Sequence, residues 1–246
     1  MIEAVIFDYG GVFSSPLFRG VGRFEADLGY PSGAVLELLF GEAAYIGVEG
    51  VAMAADAPAA TPARDAGARA EASAVTHDWH RLEIGAISLV DYLAGVVARA
   101  PAVLGKPLDF HAYLAFMRDM PFGVHWPLVH RARRLKRDGI ALALLTNNVK
   151  EWGDHWKATI PLDELFPVVV DSSEVGLRKP DARIYELTCS RLDVNPHACV
   201  FIDDNADNVA AAAALGMEAV HFHDDPWAAI DELDAILDRR GVARAS

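Results

Sequence analysis

A chain of 246 residues is long for one compact unit, so a large domain or a core with a smaller inserted domain is expected. Hydrophobic residues form 52% of it, ample for a core, and a net charge of −13 argues against a nucleic-acid or anionic-membrane surface. The two cysteines, Cys189 and Cys199, give neither a disulfide framework nor a zinc pattern and read as core packing.

In chain order, Met1-Ile2-Glu3 leads straight into an apolar run, Val5-Ile6-Phe7, with no basic leader, so no signal peptide is expected. No apolar stretch reaches the roughly 18 residues of a membrane span, and the expected location is cytoplasmic. The first strand ends in Asp8, then Tyr9, Gly10 and Gly11. Helical patterns follow at 18–25, at 34–40 and at 89–93, the last behind Ser88 as N-cap. Residues 52–75 are rich in Ala and read as a loop and a short helix.

Beyond about residue 127 the rhythm changes. Leu128, Ala132 and Leu135 fall at helical spacing, and the cations Arg131, Arg133, Arg134, Lys136 and Arg137 read as a solvated face. Apolar runs at 140–145, 167–170, 198–202 and 218–222 read as strands buried on both sides. Helical patterns lie between them, opened by Pro180 and by Asn205. Five strands alternating with helices predict an α/β fold with a parallel sheet, and residues 15–120 a helical insertion after the first strand.

Ligands of such sheets sit off the carboxyl ends of the strands. There the chain places Asp8, then Thr146-Asn147-Asn148, then the 171–180 loop carrying Lys179, then Asp203-Asp204-Asn205-Ala206-Asp207-Asn208. Acidic residues converging on one point need a divalent cation to stay ionised, and magnesium suits an all-oxygen site. A hydroxyl, amides and a lysine supply anion stabilisation, and a carboxylate nucleophile is an established route to an acyl phosphate. Each cluster alone is an ordinary cap or turn; four at four strand ends point to phosphoryl chemistry.

The order Asp8, Thr146, Lys179, Asp203-Asp204 resembles the four signature motifs of the haloacid dehalogenase-like hydrolase superfamily, and the resemblance covers nearly the whole chain. The segments FDYGGVF, LLTNN, GLRKPD and FIDDNADN are most similar to its phosphatase branch, with the N-terminal domain of soluble epoxide hydrolase and bacterial sugar-phosphate phosphatases. The resemblance implies a Rossmann-like core of residues 1–14 and 121–246 and a type 1 helical cap of residues 15–120. It implies a hydrolase that removes phosphate from a small phosphorylated metabolite, with Asp8 as nucleophile and Mg²⁺ ligand. Gly10 would lend its carbonyl and Asp204 its carboxylate to Mg²⁺, with Asp203 and Asp207 in support. Thr146, Asn147, Lys179 and Asn208 would bind the phosphoryl group. Monomer and homodimer both remain open.

One position departs from the pattern. Where many such phosphatases carry an acid–base aspartate two residues after the nucleophile, this chain has Gly10, a loss that typically removes about 10²–10⁴ in rate. The alternatives are therefore a slow or non-catalytic binding protein and a 2-haloacid dehalogenase. Dehalogenases need no acidic pair such as Asp203-Asp204, and they carry Tyr two residues after the Asp rather than one. Phosphonate hydrolysis through a cap lysine is disfavoured because residues 15–105 contain no lysine. Among insertion residues, Trp79 and Leu82 are expected to pack inside, and His80, Arg81, Arg19 and Arg23 to face water.

Overall fold

The structure, a computed structural model, describes residues 1–16, 18–41, 77–120 and 122–242. The 52–75 stretch lies outside the described residues. Five strands form one parallel sheet: β1 (Ala4–Phe7), β2 (Ala141–Thr146), β3 (Val168–Asp171), β4 (Cys199–Asp203) and β5 (Glu218–His221). Their order is β3-β2-β1-β4-β5, so the chain steps outward from β1 on one side and returns to continue on the other. The crevice between the carboxyl ends of β1 and β4 is the topological switch point, where such sheets bind ligands.

Alternation explains why the strands read as continuous apolar runs. Val5 and Phe7 face one core with Leu142, Leu144, Val200 and Ile202, while Ala4 and Ile6 face the other with Ala143, Leu145 and Phe201. Helices cover both faces, as a parallel sheet requires.

Between β1 and β2 lie α1 (Val21–Leu28), α2 (Ala34–Phe40), α3 (Asp78–Glu83), α4 (Leu89–Leu104), α5 (Phe110–Asp119) and α6 (Trp126–Arg137). Helix α6 packs Leu128, Val129, Ala132 and Leu135 on the first face of the sheet, whereas α1 to α5 bury a cluster of their own around Phe24, Leu38, Tyr92 and Val96. Gly33, at the N-cap of α2, has no side chain to cap with; the buried Glu25 of α1 instead accepts from the Gly33 and Val35 N–H groups, each at 2.8 Å. The chain leaves and re-enters the sheet layer side by side, with Ser15 N–H donating to Gly123 O at 2.9 Å and His125 N–H to Phe13 O at 2.8 Å.

The remaining helices are α7 (Gly153–Lys157), α8 (Leu162–Leu165), α9 (Ser172–Val175), α10 (Ala182–Leu192), α11 (Ala206–Ala214) and α12 (Pro226–Arg240). Helix α12 lies beside α6, while α10 and α11 cover the opposite face. Asn205 caps α11, accepting from the Asp207 and Asn208 N–H groups. Pro180 does not open α10: Asp181 is the N-cap, its carboxylate accepting from Arg183 N–H at 3.0 Å, and the proline stands just outside.

The cationic face of α6 is less solvated than its sequence suggests. Arg131 is paired with Asp234 of α12, Arg133 with Glu164 at 2.9 Å, and Lys136 donates to the Glu164 carbonyl. Arg134 and Arg137 are exposed as expected.

Candidate active site

Strand geometry delivers the site. Asp8 follows β1 and donates its N–H to Ile202 O of β4 at 2.9 Å, which holds it at the switch point. The chain then turns, Tyr9 O accepting from Phe13 and Ser14 N–H. Tyr9 leads away from the carboxylate, its hydroxyl 2.6 Å from Thr159 Oγ1 and its ring against Trp156. Gly11, at φ +81°, allows the turn, and a Cβ there would lie 1.9 Å from Asp204 Oδ2. That close approach needs glycine. Gly10 is different: its φ is not left-handed and a Cβ would meet nothing within 4 Å.

Lys179 is 1% exposed, a burial that a lysine tolerates only when paired. Its ammonium lies 2.8 Å from Asp8 Oδ1 and 2.6 Å from Asp203 Oδ2. Burial lowers its pKa, but Asp203 and Asp8 outweigh that and hold it above the ordinary lysine value. The Asn147 carboxamide grips the backbone of this lysine, accepting from Lys179 N–H at 2.8 Å and donating to Lys179 O at 3.0 Å. Thr146, 3% exposed, ends β2 beside it.

Asp203 is fully buried and fully engaged. Oδ2 takes Lys179, while Oδ1 accepts from Asn205 N–H at 2.8 Å and from Asn208 Nδ2 at 3.0 Å. The Asn208 amide nitrogen thus supports Asp203, and the residue also borders the cavity beside the acidic cluster. Asp207, in the first turn of α11, is exposed. Asp204 keeps its carboxylate beside Gly11, and its carbonyl accepts from His221 Nε2 at 3.0 Å.

Asp8, Asp203 and Asp204 each offer a carboxylate oxygen, all within 4.8 Å of one another. Burial pushes Asp8 up to about 7, with Lys179 opposing and Asp203 adding to the rise. Burial and the charges of Asp203 and Asp8 also raise Asp204 well above the usual carboxylate range. Three carboxylates against one ammonium leave negative charge uncompensated in a dry place. Moreover, although Asp8 Oδ1 sits close to the Lys179 ammonium, no donor meets this buried oxygen in hydrogen-bonding geometry. Three converging carboxylates that one ammonium cannot neutralise fit a hard divalent cation.

The site opens into a cavity of about 630 Å³ between the sheet edge and the helical insertion. Glu83 of α3 meets Arg178, the neighbour of Lys179, at 2.7 Å, and Ser172 Oγ donates to the Glu83 carbonyl at 2.6 Å. Burial raises the Glu83 carboxyl against the pull of Arg178. Ser172 is held in turn by Asn148 N–H, and Asn148 Nδ2 donates to Asp171 Oδ2 at 2.8 Å. His80 lines the cavity instead of facing water, and burial, Arg178 and His77 lower it to about 4. Trp79 packs with the insertion and also lines the cavity; Leu82 is buried and Arg81 exposed, as expected. Arg19 pairs with Asp224 at 2.6 Å, and Arg23 is exposed. The sequence carries no local signal for the roles of Glu83, Arg178 and Ser172.

The family model for haloacid dehalogenase-like hydrolase matches residues 2–216, and the chain belongs to that family. It is 29% identical to mouse acyl-CoA dehydrogenase family member 10 over 161 residues, covering 65% of this chain and 15% of that protein. It is 32% identical to a sesquiterpene phosphatase of Aspergillus oryzae over 99 residues, covering 37% of this chain and 47% of that protein. Matches to these curated relatives thus span less than half of their length. Bifunctional epoxide hydrolase 2 of Sus scrofa and (S)-2-haloacid dehalogenases of Burkholderia cepacia and Pseudomonas are also relatives. Among solved structures, a HAD family enzyme of Bacteroides thetaiotaomicron, in complex with magnesium and inorganic phosphate, superposes with TM-score 0.56 at 17% identity, covering 90% of this chain and 94% of that one. The Rossmann-like fold is shared with that enzyme. No helix among the described residues is long and apolar enough to cross a membrane.

Proposed function

We propose that this hydrolase is a Mg²⁺-dependent phosphatase of small phosphate monoesters, with Asp8 as the nucleophile. The observation that carries the reading is the Asp8 carboxylate itself, buried at the switch point between Lys179 and the Asp203–Asp204 pair. Asp8, Asp204 and the Gly10 carbonyl would hold Mg²⁺, which keeps the carboxylates ionised and neutralises charge on the phosphoryl group. A carboxylate oxygen of Asp8 attacks phosphorus, the bond to the leaving alcohol breaks, and an aspartyl-phosphate forms on Asp8. Water then attacks phosphorus, breaking the bond to Asp8 and releasing phosphate.

Lys179 holds the nucleophile and draws charge from the transferring oxygens; the Thr146 hydroxyl and the Asn147 backbone bind those oxygens. The Asn147 carboxamide serves by fixing Lys179, and Asn208 by fixing Asp203. With Gly10 in place of an acid, the leaving alcohol takes its proton from water. Residues 15–120 act as the cap over this chemistry, hinged where 13–15 pair with 123–125. Phosphatases among the relatives and the bound phosphate of the Bacteroides enzyme support the reading.

The dehalogenase relatives favour a second reading, in which Asp8 displaces halide without a metal. p-Nitrophenyl phosphate and 2-chloropropionate, each assayed with Mg²⁺ and with EDTA, separate the two. Phosphate release that needs Mg²⁺ and disappears in Asp8→Asn is the expected outcome. Halide release that survives chelation would replace it, and no turnover on any ester would leave a binding protein.

A further inference from the structure

The phosphate end of the cavity is polar, but its far end is walled by rings. Phe18, Phe40, Trp79 and Trp152 follow one another, with centroids 5.1 Å apart for the first pair, 4.8 Å for the second and 6.1 Å for the third. They run from the helical insertion to the loop after β2, only a few residues beyond Thr146 and Asn147. Trp156 extends the wall on the side of Tyr9.

Two further observations set this wall apart from ordinary core packing. The first is the backbone of Phe18, at φ +64°, a left-handed conformation that a bulky side chain rarely adopts. It seats the ring, 3% exposed, against Phe40 at the cavity's border, where glycine would have been the easy residue, and leaves Phe40, Trp79 and Trp152 only partly buried along the cavity. The second is the state of the polar groups nearby. Glu83 is spent on Arg178, Asp224 on Arg19, and Asn148 on Asp171, so these groups answer one another rather than a ligand. Among the described residues of the insertion, His80 is the polar side chain left on the cavity, and burial keeps it neutral near pH 7.

Ser14, Asn205, Asp207, His221 and His223 also line the cavity from the sheet layer, but against the rings a polyol leaving group would surrender its hydration and find few donors and acceptors in return, a costly exchange. A hydrocarbon group gains by the same transfer. We infer that the ester this site hydrolyses carries an apolar alcohol, its alkyl or aryl part against Phe18, Phe40, Trp79 and Trp152 and its phosphate on Asp8 and Lys179. The inference rests on the phosphatase reading for its reaction, but the apolar pocket can be measured apart from it.

The test is a series of n-alkyl phosphates from ethyl to octyl, with acetyl phosphate and glucose 6-phosphate beside it, all in Mg²⁺. On the proposal, kcat/KM rises about threefold per methylene until the pocket is full. Octyl phosphate then exceeds glucose 6-phosphate by at least about 10²-fold, and a flat series or a preference for the sugar phosphate, with acetyl phosphate still hydrolysed, overturns the inference alone. If nothing is hydrolysed, tryptophan fluorescence with methyl- and octylphosphonate decides separately. Tighter binding of the octyl compound then sustains the apolar pocket while the phosphatase reading falls; equal binding sinks both. Trp79→Ala lowers the octyl-to-ethyl ratio at least about fivefold and Trp79→Phe restores most of it; Trp152→Ala serves if Trp79→Ala does not fold. An unchanged ratio in folded Trp79→Ala or Trp152→Ala overturns the assignment of the wall.

Discussion

Asp8, Gly10 and Gly11 are neighbours with three different physical reasons for being what they are. Asp8 has the reactive carboxylate, Gly11 has no room for a side chain against Asp204, and Gly10 has room that it does not use. The empty space at Gly10 makes a sharp prediction possible. Gly10→Asp is expected to fold unchanged, because no backbone strain or contact opposes it, and to raise kcat on alkyl phosphates about 10²-fold by returning an acid to the leaving group. Steady-state kinetics across pH checks it: the variant gains a titrating limb that the parent lacks. An unchanged kcat would show that proton transfer to the alcohol does not limit turnover. At the same scale, Asp8→Asn keeps the shape of the site and loses the nucleophile, so turnover should fall to background.

Among elements, the contact between α3 and the 172–178 segment matters most. Glu83 brings both its carboxylate and its carbonyl to this seam, one to Arg178 and the other to Ser172. Because Arg178 immediately precedes Lys179, the seam joins the insertion to the segment that carries the buried ammonium. Glu83→Ala strands a half-buried guanidinium and should cost roughly 1–3 kcal/mol, read as a lower urea midpoint. Adding Arg178→Ala should return part of that loss, because it removes the stranded charge, and a double-mutant cycle measures the coupling. Strictly additive losses would mean that the pair contributes nothing of its own. Both single variants are also expected to raise KM for the longer alkyl phosphates, since Trp79 of the aromatic wall stands on the helix that this seam anchors.

For the molecule as a whole, the decisive term is the negative charge gathered at one point of a chain that already carries −13. Ionised Asp8, Asp203 and Asp204 repel one another across less than 5 Å, and burial raises both Asp8 and Asp204. A cation that binds only the folded chain stabilises it by mass action. At about a hundred times its dissociation constant, Mg²⁺ should raise the melting temperature by roughly 5–10 °C, and Asp204→Asn should abolish most of that shift. Differential scanning fluorimetry with and without Mg²⁺ reads this without any assay of activity. A wild-type protein whose melting is indifferent to Mg²⁺ would show that the cluster holds no such ion.

The parallel α/β sheet and four of its polar strand ends were legible in the sequence because each rests on neighbours in the chain. A run such as Val5-Ile6-Phe7 is apolar throughout because both faces of its strand are buried, and the residue after it must emerge at the sheet edge. Thr146 and Asp203 stand out for the same local reason, while Lys179 is marked by its place in the loop after β3, just before Pro180. What the tertiary structure alone decided are partnerships between residues far apart in the chain. Asn208 serves Asp203 because α11 turns its first buried side chain back toward β4. Glu83 finds Arg178, and Arg131 finds Asp234, across 95 and 103 residues of chain that no local pattern spans. His80 and Trp79 read as one surface and one core residue of a helix, yet both border the cavity, because α3 packs against the sheet edge that carries the site. Spacing along a helix tells which residues share a face; only packing tells what that face meets.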